Sequence, residues 1–377
     1  MPPKNLIRLL SDLIAIPSVN PMGREVQGAP YFEKPIAEFV AQRARSLGLD
    51  TEIFEHRPGR TSVLARLDAG ARETLLLDAH LDTVSHENME IPPFEPTRSE
   101  GRVYGRGACD TKASLAIFLC ALEDILRRGN KPTRNVILAA CADEEFSFGG
   151  VRELARRGLK ADGAVVGEPT ELEILAAHKG VLRCFVRARG ESCHASTPEA
   201  GRNAIYLLAE AILLLKKLHD ELQRRPPHPV LGHATLSVGM AGGGQTPNTV
   251  PAAAWLEIDR RLLPGETPEA VVREIRRALA GLAHVEVEDP YLDSGGFETK
   301  SAAGACALIH RAQSACGLKP SISSAPYATH APFYEKLSIP AAVFGPGSIR
   351  RAHTASEYVE EDQLEKALAV LLRMLTS

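Results

Sequence analysis

Short apolar segments alternate with amphipathic ones along the first half of this chain, and this alternation limits the fold more than any other feature. Thr74–Ala79, Asn135–Ala142 and Gly163–Val166 are apolar along nearly their whole length, as buried strands are. Lys112–Leu126 has apolar residues on one helical face. Strands buried on both faces are typical of parallel sheets covered by helices. The pattern therefore predicts an α/β fold with a mixed, mostly parallel sheet and helices on both faces.

The pattern changes at about Val181. From there we expect a strand, a helix, two strands, a helix and a strand, at Val181–Ala188, Asn203–Leu222, Ala234–Met240, Ala253–Arg261, Pro268–Ala280 and Val285–Val287. This β-α-β-β-α-β order is that of a ferredoxin-like α+β unit. Helix and strand signals resume from Ala302. The sequence therefore predicts a discontinuous first domain, residues 1–178 and 292–377, interrupted by an inserted domain at residues 179–291.

Length and composition argue against several classes of protein. The chain has 377 residues, and its 44 Lys+Arg against 47 Asp+Glu leave a formal net charge of −3, so a basic nucleic-acid-binding protein is not expected. No apolar run approaches the roughly 18–20 residues that span a membrane. The N-terminus lacks the apolar region of a secretory signal, so we expect no export by that route. Seven scattered cysteines without a Cys-x-x-Cys pair indicate reduced thiols and a cytoplasmic protein.

Acidic and imidazole side chains lie just after predicted strands or in tight turns. The candidates are His80, Asp82, Asp110, Glu144, Glu145, Glu168 and His353. In an open α/β sheet, binding sites form outside the carboxyl ends of the strands. We therefore expect these side chains to converge although they are far apart in the sequence.

The residue types indicate a metal site. Carboxylates that are brought together raise each other's pKa unless a cation lies between them. Imidazoles with carboxylates suit zinc better than magnesium. Asp82 lies two residues after His80, where it can orient that ring. Of the adjacent Glu144 and Glu145, one can bind metal while the other takes a proton from water, as metal-assisted hydrolysis requires.

Each motif alone has a simpler interpretation. His80 and His353 could be ordinary surface or core histidines, and the acidic run at Glu144 could be a solvated turn. A nucleotide-dependent oxidoreductase is not supported, because Gly105 and Gly107 are followed by Asp110 instead of a third glycine. A non-enzymatic binding protein on the same fold stays open. The order of all the motifs at strand ends favours the metal site.

The motif order resembles that of the dinuclear zinc aminoacylase/carboxypeptidase family, which includes acetylornithine deacetylases, succinyl-diaminopimelate desuccinylases and glutamate carboxypeptidases. The matching segments are His80–Thr83, Gly105–Lys112, Asp143–Glu145, Gly167–Thr170 and the late His353. The resemblance implies two zinc ions, with cobalt or manganese as substitutes. His80, Asp110 and Glu168 would hold one ion. Asp110, Glu145 and His353 would hold the other.

The resemblance also assigns the remaining roles near the metals. Glu144 would be the general base, and Asp82 would orient His80. The peptide between Asp110 and Thr111 would be cis.

The inserted domain carries three further matches, which imply that it is a lid and dimerisation domain. His194 would reach the active site of a second subunit in a homodimer and stabilise the oxyanion there. Asn248 would contact the substrate. Arg261 would bind the substrate carboxylate, for which its planar guanidinium is suited. Without the family pattern these residues would be a loop histidine, a turn residue and a surface salt-bridge partner.

Three segments look most like acetylornithine deacetylases: Ala176–Gly180, Gly345–Ile349 and Ala352–Tyr358. The resemblance implies an enzyme that deacetylates N-acetylornithine to ornithine and acetate, in arginine biosynthesis. Its partners would be a small N-acyl amino acid and a second copy of the chain, with no nucleic acid or membrane. Succinyl-diaminopimelate desuccinylase, another N-acyl-amino-acid deacylase, and a metallo-carboxypeptidase or dipeptidase stay open as alternatives.

Overall fold

The computed structural model describes residues 2–299 and 304–377, and the predicted restart at Ala302 lies outside these described residues. The helices are α1 (Lys4–Ala15), α2 (Lys34–Ser46), α3 (Lys112–Arg127), α4 (Gly149–Arg156), α5 (Ala204–Leu222), α6 (Pro268–Leu279), α7 (Gly304–Ala315), α8 (Ala331–Lys336) and α9 (Glu361–Thr376). A short 3-10 helix spans Pro198–Ala200.

The strands of the described residues complete the element order. They are β1 (Asp50–Arg57), β2 (Arg60–Leu67), β3 (Thr74–His80), β4 (Thr97–Ser99), β5 (Arg102–Tyr104), β6 (Asn135–Cys141), β7 (Gly163–Val166), β8 (Ile174–His178), β9 (Gly180–Arg189), β10 (Thr235–Gly243), β11 (Ala253–Leu262), β12 (Val285–Val287), β13 (Leu292–Ser294), β14 (Phe297–Glu298), β15 (Ile322–Ala325), β16 (Ala341–Val343) and β17 (Tyr358–Glu360).

The chain divides into two compact units. The first unit comprises Met1–Ala176, Thr299–Ser323 and Thr329–Ser377, and the second comprises Ala177–Glu298 and Ser324–Ala328. The second unit therefore ends later than the sequence pattern places it, after Glu298 instead of residue 291. The reason is that β13 pairs with β9, and β14 pairs with the end of β8, inside the second unit.

The main sheet of the first unit is mixed, as predicted. Its strand order is β1-β2-β6-β3-β7-β16-β8. The central strands β6, β3, β7 and β16 run parallel, whereas β1, β2 and β8 run antiparallel to their neighbours. A small antiparallel sheet of order β17-β5-β4 lies in the same unit. The apolar runs of the sequence thus form the parallel centre of the sheet, where both faces are buried.

Helices cover both faces of this sheet. On one face, Leu75 and Leu77 of β3 join a large apolar core with side chains of α1, α2, α3, α7 and α9. On the other face, α4 contacts β1 and β2, and α8 contacts β7 and β16. Side chains alternate along a strand, so Asp78 of β3 points to the side opposite Leu77. This alternation places polar residues of β3 away from the large core.

The second unit is an antiparallel sheet with two helices. Its strand order is β10-β11-β9-β12, and β13 also pairs with β9. Leu182 and Val186 of β9 and Ile258 of β11 pack with α5 and α6 into a separate apolar core. The element order β9-α5-β10-β11-α6-β12 is the predicted β-α-β-β-α-β order.

Two further findings concern the described residues as a whole. None of their helices combines the length and the apolar character that crossing a bilayer requires. All seven cysteines are free thiols, and five of them are buried.

Candidate metal centre

Three neighbouring parallel strands bring the predicted site residues to one edge of the main sheet. His80 is the last residue of β3, which lies between β6 and β7. Glu144 and Glu145 follow the end of β6, and Glu168 follows the end of β7. Because parallel strands end at the same edge, these side chains must lie together.

His80, Asp110 and Glu168 form the first group of candidate ligands. One potential ligand atom from each lies within 4.8 Å of the others, and all three residues are buried. The His80 Nε2 atom is 2.9 Å from Asp110 Oδ1, while its Nδ1 donates to the backbone carbonyl of Asp82 at 2.9 Å. A ring that donates from Nδ1 offers Nε2 as a ligand atom. Asp110 precedes α3, and its peptide bond to Thr111 is cis, as the resemblance implied.

Asp110, Glu145 and His353 form the second group. Their potential ligand atoms also lie within 4.8 Å of one another. His353 Nε2 is 3.2 Å from Asp110 Oδ2 and 3.2 Å from Glu145 Oε1. The His353 side chain is 49 % exposed, so this group borders on solvent. The two oxygens of Asp110 thus face different groups, and this is the geometry of a bridging carboxylate.

The acidic members of the site repel one another. Burial, together with the charge of Asp110, raises the pKa of Glu168 well above its usual range and also raises that of Glu145. Burial, together with the charges of Glu168 and Glu145, raises the pKa of Glu144 well above its usual range. Such a set of buried carboxylates is stabilised when cations lie among them.

The same negative charges favour the protonated forms of the two histidines. Burial disfavours their charged forms, but hydrogen bonds to Asp110 raise the pKa of His80 well above its usual range and, with Glu145, raise that of His353 to about 11. In return, although burial opposes it, these hydrogen bonds lower the pKa of Asp110. The protonated rings of His80 and His353 therefore neutralise the same carboxylates that bound cations would neutralise. Two imidazoles and three carboxylates, one shared, fit a pair of divalent ions of the zinc type.

Asp82 contacts His80 mainly through its backbone. Its backbone carbonyl accepts the His80 hydrogen bond, while its carboxylate Oδ1 is 3.7 Å from His80 Nδ1. The carboxylate instead accepts the backbone N–H groups of Glu144 and Glu145, each at 3.0 Å. Consecutive amides that point the same way form an anion-binding nest, and the buried Asp82 carboxylate occupies it.

Glu357 is a positioning residue to which sequence reasoning assigned no role. It is buried, and its Oε1 accepts the backbone N–H groups of Cys109 at 2.9 Å and Asp110 at 3.0 Å. Its Oε2 accepts from the Gly107 amide at 3.1 Å and from Arg106 at 2.7 Å. The turn that presents Asp110 is therefore held by a carboxylate 247 residues later in the chain.

A further polar cluster lies on the same face of the sheet. Asp78, Cys141 and His330 are buried, with potential ligand atoms within 4.8 Å of one another. However, His330 Nδ1 is 2.7 Å from Asp78 Oδ2, which is a hydrogen bond. Burial also raises the pKa of the Cys141 thiol well above its usual range, which disfavours the thiolate that binds metal ions. We therefore interpret this cluster as a hydrogen-bonded pair with a buried thiol.

The three remaining candidates lie in the second unit. His194 is exposed, and its Nδ1 is 2.7 Å from Ser196 Oγ. The next residue, Ala195, donates its amide to the Asn248 carbonyl at 3.0 Å, so the segments of His194 and Asn248 are neighbours. Arg261, near the end of β11, donates from Nε to Asp259 Oδ1 at 2.8 Å. All three residues therefore belong to the second unit.

Comparison with known proteins identifies the family. The model of "Peptidase family M20/M25/M40" matches residues 76–377, which include every candidate metal ligand. The chain belongs to peptidase family M20. Its resemblance to the zinc aminoacylase/carboxypeptidase family is thus confirmed. It is also 33 % identical to a curated acetylornithine deacetylase from Proteus mirabilis (strain HI4320), over 94 % of this chain and 92 % of the relative.

Solved structures of M20 proteins share the fold. An M20 family metallo-carboxypeptidase from Sulfolobus solfataricus superimposes with a TM-score of 0.82 and 21 % identity, covering 99 % of both chains. A dinuclear metal-binding peptidase of the M20 family from Bacillus subtilis gives a TM-score of 0.67 and 18 % identity, covering 98 % of this chain and 96 % of that chain. At these identities the likeness shows the fold alone.

Proposed function

We propose that this M20 family member hydrolyses the amide bond of an N-acyl amino acid, most specifically that of N-acetylornithine. The observation that carries the proposal is the pair of ligand groups that share Asp110. The carboxylate of Glu144 lies beside them and belongs to neither group. The identity to an acetylornithine deacetylase over 94 % of the chain supports the choice of substrate. Such an enzyme would act on a small metabolite in the cytoplasm, in arginine biosynthesis.

The ligand groups suit two zinc ions, with cobalt or manganese as substitutes. His80, Asp110 and Glu168 would hold one ion, and Asp110, Glu145 and His353 the other. When bound, the ions polarise the amide carbonyl and ease the deprotonation of water. Within each group, the potential ligand atoms already lie within 4.8 Å of one another.

Glu144 supplies the proton transfer in this proposal. A water molecule attacks the amide carbon, and the Glu144 carboxylate accepts its proton. The carboxylate then gives this proton to the amide nitrogen as the carbon–nitrogen bond breaks, which releases the acid and the free amine. Burial of Glu144 supports the role, because a raised pKa makes a carboxylate a stronger proton acceptor.

Residues of the second unit would bind the substrate. Arg261 would bind the amino-acid carboxylate in place of Asp259, its present partner at 2.8 Å. Asn248 would contact the substrate through its amide. His194, which is exposed, would stabilise the oxyanion in the active site of a second copy.

A homodimer is part of this proposal. Among the described residues, β10 is an edge strand of its sheet, with no strand paired to its outer side. It packs against α5, where Tyr206 is 71 % and Leu213 is 67 % exposed, and Met240 of β10 is 57 % exposed. A second copy that added its own β10 strand and α5 helix would cover these apolar side chains. Light scattering that finds only monomers would contradict the dimer.

A panel of amides tests the reaction. Metal-free, zinc-loaded and cobalt-loaded protein would be given acetylornithine, succinyl-diaminopimelate, other acetyl-amino acids and dipeptides, and the release of free amine would be measured. We expect hydrolysis only with metal, fastest for acetylornithine. Preference for the succinyl substrate or for peptides would select one of the alternative activities. No hydrolysis of any amide by protein with two bound ions would refute the enzymatic function in favour of a binding protein.

Two variants test the assigned roles. Glu144→Gln should retain both metals and lose activity by about 100-fold or more, since general base catalysis contributes on this scale. His194→Ala should be inactive as a homodimer. After mixing and subunit exchange, Glu144→Gln and His194→Ala should regain activity, because some heterodimers contain one complete site. A mixture that stays inactive despite exchange would contradict the role of His194 across subunits.

A further inference from the structure

The residue before Glu144 adopts an unusual backbone conformation. Asp143 has φ of +67°, in the left-handed region that residues other than glycine rarely adopt. The turn closes when Phe148, itself at φ +56°, donates its amide to the Asp143 carbonyl at 2.7 Å. Strained positions persist when surrounding contacts over-determine them, and they cluster at functional sites. The contacts of Asp143 therefore decide how the segment with Glu144 leaves β6.

A buried network holds Asp143. Its Oδ1 is 2.7 Å from a guanidinium nitrogen of Arg60 and accepts from Asn20 at 3.0 Å. Its Oδ2 is 3.2 Å from His56 Nε2, and its backbone amide donates to Glu33 Oε1 at 3.2 Å. These partners come from three distant segments, around residues 20, 33 and 56–60, so the conformation of Asp143 depends on tertiary contacts.

Arg60 is the cation at the centre of this network. It is 6 % exposed, and one guanidinium nitrogen lies 2.5 Å from Glu33 Oε1 and 2.7 Å from Asp143 Oδ1. Its other terminal nitrogen donates to Asn20 Oδ1 at 3.3 Å. Removal of Arg60 would leave two buried carboxylates without their cation, which is strongly unfavourable.

Asn20 links the network to the candidate metal centre. Its amide nitrogen donates both to Asp143 Oδ1 at 3.0 Å and to Asp82 Oδ2 at 2.8 Å. Asp82 in turn receives the amides of Glu144 and Glu145. An unbroken series of hydrogen bonds thus runs from Arg60 to the backbone of the proposed base and of a proposed metal ligand.

We infer that Arg60 is a positioning residue, which acts through Asp143 and Asn20 to direct the side chains of Glu144 and Glu145 toward the metal centre. This inference rests on the proposed function for the role of Glu144. Within the described part of the chain, the hydrogen-bond and ion-pair partners of Arg60 are Asn20, Glu33 and Asp143, which lie outside the ligand groups. Its effect must therefore appear in the chemical step and in metal affinity, with little effect on substrate binding.

The test compares Arg60→Met with Arg66→Met, a control on the same strand whose exposed guanidinium lies 4.0 Å from Glu52. A small misplacement of a catalytic group lowers rates steeply, so kcat of Arg60→Met should fall by about tenfold or more. KM should stay within about twofold, because uniform substrate binding is unaffected. The control should match the wild-type protein. An unchanged kcat, or a rise of KM alone, would overturn the inference.

Two further variants separate positioning from loss of stability. Asp143→Asn keeps the shape and tolerates the left-handed conformation but removes the charge that Arg60 binds. It should lower kcat in the same way, and if Arg60→Met does not fold, this variant decides the question. In the double variant Arg60→Met/Asp143→Asn, the fold-losses of kcat from the two changes should not multiply, because coupled residues act through one interaction. Independent, multiplying losses would overturn the inference.

A cobalt titration provides a measurement that needs no activity. Because Glu145 shares the Asp82 anchor, Arg60→Met should bind the second equivalent of cobalt about threefold or more weakly and change its visible absorption spectrum. Spectra and affinities equal to those of Arg66→Met would overturn the inference. If the wild-type protein hydrolyses no amide, the proposed function fails, and this titration still tests whether Arg60 positions the segment.

Discussion

The clearest stability test concerns Glu357, which holds the turn before Asp110. The change Glu357→Gln keeps the size of the side chain and removes its charge. In the structure the carboxylate receives the amides of Gly107, Cys109 and Asp110 and the guanidinium of Arg106. A glutamine can keep the bonds to Oε1, but its NH2 group would then face two donors, the Gly107 amide and Arg106.

The expected loss follows from these contacts. A hydrogen bond to a charged group contributes about 1.5–3 kcal/mol. Removing one partner of a buried ion pair destabilises by about 3–5 kcal/mol. The contacts share one carboxylate and are not additive, so we expect a loss of about 3–5 kcal/mol in the free energy of unfolding. At about 2–4 °C per kcal/mol for a domain of roughly this size, Tm should fall by about 6–20 °C.

Urea unfolding of chelator-treated protein, followed by circular dichroism, measures this loss without a contribution from metal. Glu360→Gln is the matched control, because Glu360 is a partly exposed glutamate of the same segment, and it should change stability by less than about 0.5 kcal/mol. The double variant Arg106→Met/Glu357→Gln should lose less free energy of unfolding than the two single variants lose together. A loss below about 1 kcal/mol for Glu357→Gln would refute the reasoning about this buried carboxylate.

Three other predictions concern single residues. Burial lowers the pKa of His178 to about 4, so the contribution of the neutral ring to stability is complete above about pH 6.5 and is lost as the pH falls toward 4. The variant His178→Phe should flatten this part of the stability–pH curve. An unchanged curve would contradict the assignment. Because the pKa of His353 in the metal-free protein is about 11, zinc must displace a proton from this ring. Calorimetry of zinc binding in different buffers should therefore show proton release and an affinity that rises with pH. Zinc binding that does not depend on pH would argue against His353 as a ligand. Gly149→Ala would place a Cβ 2.0 Å from His56 Nε2 and should lower the free energy of unfolding by about 1–3 kcal/mol. A variant as stable as the wild-type protein would show that the His56 ring can move away from the new methyl group.

Much of the site could be inferred from sequence because its residues stand at the ends of strands. His80, Glu145 and Glu168 follow three apolar segments that form β3, β6 and β7, and neighbouring parallel strands must end together. The donor types then indicated metal chemistry. His353 was a candidate because its loop follows a predicted strand, but its pairing with Asp110 and Glu145 came from the family pattern, because the loop has no periodicity that places it near Asp110.

Other parts of the site had no signal in the sequence. Arg60 and Asn20 are separated from Asp143 by more than 80 residues and could be assigned to a surface or a turn as easily as to a buried network. The His80–Asp82 spacing suggested that Asp82 orients the ring. It gave no sign that the Asp82 carbonyl accepts the hydrogen bond of the ring while the carboxylate binds the amides that follow β6. Sequence spacing predicts which residues are neighbours and does not determine which atoms meet.

The sequence by itself determined the alternation of strands and helices, the inserted β-α-β-β-α-β unit and the kinds of ligand available, because these depend on local periodicity and side-chain chemistry. The tertiary structure decided that Asp110 is shared by two groups, that Glu357 holds its turn from 247 residues away, and that Arg60 lies between buried carboxylates. The physical reason is that burial and hydrogen bonding between distant segments set these contacts and the protonation of the groups involved. Such effects exist only once the chain is packed.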